Sequence, residues 1–145
     1  MNFTPYLSFN GRCDEAIAFY TRALGAKVQM LMRFSDSPEP PPPDCVPPGF
    51  ENKVMHAELR VGEARLMCTD GPTGQEPGFR NVSIAVELPD ESQVRRMFDA
   101  LVDGGQVMMP PGRTFWSPCF GMLTDRFGLG WMIGVQAEAS AELPA

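Results

Sequence analysis

His56 and Glu58, two residues apart, are the groups in this sequence best suited to move a proton near neutral pH. An imidazole titrates close to neutrality, and a carboxylate on the same face of a strand can orient it and take up its charge. Along Met55 to Val61 the residues alternate: Met55, Ala57, Leu59 and Val61 form an apolar set, and His56, Glu58 and Arg60 share the opposite face. The next segment repeats the pattern, with Ala64, Leu66 and Cys68 against Arg65 and Met67. Two outcomes fit this layout. His56 and Glu58 form a proton shuttle, or His56 sits in a polar layer while Glu58, Arg60 and Arg65 make a cross-strand charge network. Arg60 and Arg65 could together clamp a carboxylate or phosphate, unless Glu58 and Glu87 neutralise them.

Phe115, Trp116 and Phe120 crowd one short stretch that Pro118 and Gly121 interrupt. So many rings in a loop need something to cover, either an apolar ligand or a second subunit. Ten methionines supply adaptable apolar surface suited to core gaps or to a permissive pocket. Cys119 is the nucleophile candidate by position, but no histidine or cation lies near it in sequence to lower its pKa. The four cysteines, Cys13, Cys45, Cys68 and Cys119, are widely separated and share a single histidine, so neither a zinc set nor a disulfide framework is expected. Free thiols in a reducing cytoplasm are.

The elements that must carry these groups repeat. Met1 to Phe9 reads as a strand broken at Asn10-Gly11. A helix then opens on Asp14-Glu15, carries Ala16, Ile17, Phe19, Tyr20, Ala23 and Leu24 inward, and stops at Gly25. Lys27 to Phe34, Lys53 to Val61 and Ala64 to Thr69 complete a β-α-β-β-β order, interrupted by a Pro-rich loop over 35–50 with seven prolines between Pro38 and Pro48. After a Gly- and Pro-rich linker, Asn81 to Leu88 starts the order again. Asp90 caps a helix over Glu91 to Asp103, a strand begins at Gln106, and two more run from Thr114 to Thr124 and from Leu129 to Val135. Phe19, Gly25 and Val28 recur at one constant offset as Phe98, Gly104 and Val107. Residues 137–145 read as a frayed tail.

With 145 residues the chain has room for one domain over 1–136, in two modules over 1–70 and 79–136. A net charge of -6 gives no source of counterion-release binding, which disfavours a nucleic-acid partner. No apolar run nears the roughly 18 residues that span a bilayer, and the N-terminus lacks a signal-peptide pattern. A cytoplasmic protein is expected.

Tandem β-α-β-β-β modules with Phe-Tyr-Thr-Arg-Ala-Leu-Gly-Ala at the first helix exit, residues 19–26, resemble the vicinal oxygen chelate superfamily of glyoxalase I, extradiol dioxygenases and bleomycin-resistance proteins. The motifs Pro5-Tyr6-Leu7-Ser8-Phe9, His56-Ala57-Glu58-Leu59-Arg60, Thr114-Phe115-Trp116, Phe120 to Gly128 and Trp131-Met132-Ile133 resemble its PhnB-like branch, which is sometimes labelled 3-demethylubiquinone 3-methyltransferase. No Gly-rich strand-to-helix turn followed about twenty residues later by an acid supports that label.

The resemblance implies an α+β fold whose two curved mixed sheets pack helices on one face and form a cleft with the other. It also implies a homodimer. Metal-dependent members take ligands from the first and last strand of each module, and register places Pro5, Met67, Asn81 and Met132 there. None suits a hard divalent cation, and a one-residue shift to Tyr6, Cys68 or Arg80 is no better. No metal and no cofactor are therefore expected. Leu7, Phe9, Arg60, Arg65, Met67, Asn81, Phe115, Trp116, Phe120 and Met132 are the expected ligand-lining residues. Val82, Ile84 and Val86 are expected in the core. The implied functions are a metal-free binder of a small, partly apolar organic molecule in a dimer cleft, a metal-independent enzyme using His56 with Glu58 or Arg60, or a regulatory or structural dimer without a ligand. A bound divalent metal would restore lyase or dioxygenase chemistry.

Overall fold

The structure, a computed structural model, describes residues 1–39, 46, 48–71 and 78–136. Most of the proline run, Cys45, the middle of the linker and the tail lie outside the described residues. The chain divides into two compact units, Met1–Pro77 and Gly78–Ala145. No helix among the described residues is long and apolar enough to cross a membrane.

The first unit contains β1 (Tyr6–Ser8), α1 (Cys13–Leu24), β2 (Lys27–Arg33), β3 (Val54–Val61) and β4 (Ala64–Thr69), with sheet order β1-β4-β3-β2. β1 pairs with β4 in parallel, and β2–β3 and β3–β4 are antiparallel. Helix α1 buries Cys13, Ala16, Ile17, Phe19 and Tyr20, a stripe at helical spacing. That stripe packs on the sheet face formed by Leu7, Ala57, Leu59, Leu66 and Cys68, all buried. Fully burying each such Leu or Phe is worth about 1.5–3 kcal/mol. Gly25 ends the helix at φ 68, where a Cβ would be strained.

Helix α1 has no side-chain cap of its own at Arg12. Asp70, fully buried after β4, serves instead: Oδ1 accepts from the Gly11 and Cys13 amides at 2.8 and 2.9 Å, and Oδ2 from the Val54 amide at 3.0 Å. One carboxylate thus ties the start of α1 to the start of β3. The sequence places Asp70 in a linker, because nothing local marks a cap supplied from so far along the chain.

The second unit repeats the order with β5 (Ser83–Leu88), α2 (Glu91–Val102), β6 (Gln106–Gly112), β7 (Phe120–Thr124) and β8 (Gly130–Val135), in sheet order β5-β8-β7-β6. Asp90 caps α2 as expected, accepting from the Gln93 amide at 2.9 Å. Val94, Phe98 and Leu101 are buried on the side where Leu123, Trp131 and Ile133 lie. The buried Asp125 fixes the β7–β8 turn by accepting from the Phe127 and Leu129 amides and from Trp131 Nε1 at 2.9, 3.1 and 2.9 Å.

Three local expectations are corrected. The strand expected from Thr114 starts only at Phe120, because Thr114 and Ser117 close a turn on each other and Pro118 has no donor for a ladder. Val54 rather than Met55 enters the core: the β2–β3 register jumps between Met32 and Arg33, leaving Met55 as the extra residue. Val82 is 54% exposed, since the ladder of β5 begins one residue later.

Candidate functional site

Register sorts the open face of each sheet, because residues directly opposite on neighbouring strands share a face. In the first unit Tyr6 pairs with Met67, Met67 with Glu58 and Glu58 with Met30, giving one row across all four strands. Neighbours Ala57, Leu59 and Cys68 are buried on the helix side, so this row faces away from α1. His56 and Met32 form the next row along.

The polar groups of this face meet in sequence. Tyr6 Oη lies 3.1 Å from His56 Nδ1, and the two rings stack with centroids 5.5 Å apart at 21°. His56 Nε2 stands 3.8 Å from Glu58 Oε1, beyond direct hydrogen bonding. Arg65 holds the other Glu58 oxygen at 2.9 Å. The expected His56–Glu58 proximity and the Glu58–Arg65 cross-strand pair are both present. Arg60 is not part of the group. Its Nε donates to the Gly62 carbonyl at 3.2 Å and its guanidinium lies 4.0 Å from Glu63, because it sits beside the hairpin turn.

Leu7 and Phe9 are corrected as well. Leu7 pairs with the buried Cys68, and the Phe9 ring packs on Tyr20 of α1 at 6.0 Å, which puts both on the helix side. Tyr6 takes the open face instead. The alternation of Tyr6, Leu7 and Ser8 carried that signal, but an aromatic-apolar run only three residues long leaves its phase ambiguous.

In the second unit the equivalent row is Ala85, Met132, Met122 and Met109. Phe120 lies two residues before Met122 and pairs with Gly134, where a Cβ would come 2.9 Å from the Phe120 ring. Glycine there lets the ring lie over β8. Trp116 packs edge-on against Phe120 at 5.3 Å, and Phe115 against Trp116 at 4.8 Å. Phe115 is 84% and Trp116 42% exposed, so the ladder of rings leads from the sheet face into solvent. Cys119 is buried beside it, and burial pushes its thiol pKa up. It makes a poor nucleophile.

The positions expected to chelate a metal shift slightly. Met67 and Met132 occupy equivalent places, but their partners are Tyr6 and Ala85 rather than Pro5 and Asn81. Pro5 offers only its carbonyl, which accepts from the Met67 amide at 2.9 Å, and Asn81 precedes β5 in a left-handed conformation at φ 57. A phenol, two thioethers and a methyl group do not fit a hard divalent cation. Among the described residues no three His, Cys, Asp or Glu side chains gather into a metal-binding group.

Comparison with known proteins agrees with this architecture. The family model described as Glyoxalase/Bleomycin resistance protein/Dioxygenase superfamily matches residues 3–133. Protein YjdN of Escherichia coli K12 is 31% identical over 93% of this chain and 95% of its own. Among solved structures, protein PA1353 of Pseudomonas aeruginosa is 39% identical with a TM-score of 0.82, covering 95% of this chain and 99% of its own. The PhnB protein of Bacillus cereus, a proposed 3-demethylubiquinone-9 3-methyltransferase, is 26% identical with a TM-score of 0.77, covering 94% of this chain and all of its own (100%). With its two β-α-β-β-β units and PhnB-like relatives, the chain belongs to the glyoxalase/bleomycin resistance protein/dioxygenase superfamily.

Proposed function

We propose that this protein binds a small, partly apolar organic molecule without a metal ion, as a homodimer with the cleft expected of its superfamily. The observation that carries this reading is the chemistry of the open sheet faces. The strand positions where the resemblance expects chelating groups carry Tyr6 and Met67 in the first unit and Ala85 and Met132 in the second, whose own open face also carries Met122, Phe120 and the exposed Trp116 and Phe115. On the second unit's face thioethers and rings suit an apolar or aromatic body, and on the first unit's face Met67 and Met30 do so beside the polar groups of Arg65, Glu58 and His56. A thermal-stability screen against aromatic antibiotics, quinones and acidic metabolites, run with and without a chelator, tests it. A ligand that raises Tm equally in both supports the reading, because binding to the folded state alone stabilises it. A stabilisation that vanishes with chelator contradicts it.

The 3.1 Å contact between Tyr6 and His56, with Glu58 beyond, favours a second reading as a metal-independent proton-transfer enzyme. His56→Ala separates the two. Loss of product formation with affinity retained marks the enzyme, and an unchanged ligand marks the binder.

A further inference from the structure

Tyr6 stands 52% exposed on the open face of the first sheet, with its hydroxyl already engaged by His56 Nδ1. The offset ring stack fixes the imidazole plane, and Nε2 points toward the Glu58 carboxylate, whose far oxygen Arg65 holds. When Tyr6 donates to Nδ1, the imidazole proton sits on Nε2, facing that carboxylate. The order is hydroxyl, imidazole, carboxylate, as in a nucleophilic triad, with a phenol in place of the alcohol. A phenol is a far stronger acid than an aliphatic alcohol, so it exchanges a proton with an imidazole far more readily. β1 contributes Tyr6 to this cluster, β3 Glu58 and β4 Arg65. β2 places the non-titrating Met32 and Met30 opposite His56 and Glu58.

We propose that Tyr6 is the group that meets the ligand on this face, and that the ligand class is a hydroxyl acid of the phenol or enol type, ionised on binding. The ligand O–H bond breaks and its proton passes to Tyr6 Oη, while the phenol proton of Tyr6 passes to His56 Nδ1. The products are the ligand oxyanion, hydrogen-bonded by Tyr6, and an imidazolium facing Glu58. His56 and Glu58 position and charge-balance the phenol, and the flanking Met67 and Met30 suit an aromatic body. This assignment rests on the ligand-binding reading above.

The test uses para-nitrophenol, whose neutral and anionic forms differ in colour, at a pH below its ionisation midpoint. The full chain is expected to raise the anion band more than about threefold over the free probe. Tyr6→Phe and His56→Gln are expected to abolish the rise, and the wild type is expected to retain the non-ionising para-nitroanisole in equilibrium dialysis as well. Since the chain has one histidine, nitrogen NMR reports its tautomer directly: Nε2–H in the wild type, shifted in Tyr6→Phe. Retention of para-nitroanisole with no anion band, or a band that survives Tyr6→Phe, overturns the proposal and leaves the binding reading standing. Retention of neither probe overturns both for aromatic ligands.

Discussion

Phe120 takes in the second module the place that His56 takes in the first. Each lies two residues before the strand position, Met122 or Glu58, that pairs with the equivalent methionine, Met132 or Met67. Each also packs on a second ring, Phe120 edge-on against Trp116 and His56 stacked on Tyr6. The two halves therefore share a backbone plan and differ in chemistry: one open face presents a phenol, an imidazole and an ion pair, and the other presents rings and thioethers.

Gly134→Ala tests the aromatic half. The new Cβ would approach the Phe120 ring to 2.9 Å, so the ring must swing and carry its contact with Trp116 along. Near-ultraviolet circular dichroism should change and affinity for an aromatic ligand should fall by about tenfold, roughly the worth of one aromatic contact. An unchanged affinity would place recognition elsewhere.

Asp70→Ala should be the most destabilising single change outside the apolar core. It strands the amides of Gly11, Cys13 and Val54 in a buried site, a loss of about 3 kcal/mol or more in urea unfolding. A loss below about 1 kcal/mol would show that water replaces the carboxylate at little cost.

Asp14 links stability to acid. Hydrogen bonds from Arg33, at 3.0 Å to each carboxylate oxygen, hold the Asp14 pKa below the usual carboxylate range. A depressed pKa means the stabilisation is present above the unfolded value, near 3.9, and is lost as pH falls through the folded one. Asp14→Asn should lower the urea midpoint slightly at neutral pH and flatten its decline in acid. The effect is small because the pair is partly exposed.

The buried thiols should be silent. The Cys13 thiol donates a hydrogen bond to Cys68, which with burial pushes the Cys13 pKa up, and burial does the same for Cys119. In a Cys45→Ser background, iodoacetamide at neutral pH should label Cys13, Cys68 and Cys119 only after unfolding, as read by mass spectrometry. Rapid labelling of the folded protein would show that one of them opens to solvent.

The repeat was the most legible feature of the sequence. Helix stripes, Gly25 and the Asp90 cap are local signals, and the structure places both helices within a residue or two of their expected ends. Strand alternation also put His56 and Glu58 on one face and brought Arg65 to them across the hairpin. What stayed hidden depends on partners distant in sequence. The phase of β1 is set by its parallel pairing with β4, which moved Tyr6 out and Leu7 in. The bulge at Met55 is set by β2, the direction of Arg60 by its own turn, and the role of Asp70 by two segments distant from it in sequence.

Elemental analysis of the purified protein, paired with ligand binding in excess chelator, decides whether a metal ion takes part in binding. A protein that binds without metal gives no stoichiometric Ni, Zn, Fe or Mn and a binding isotherm that the chelator leaves unmoved. One tightly held divalent ion per chain, whose removal abolishes binding, would contradict metal-free binding.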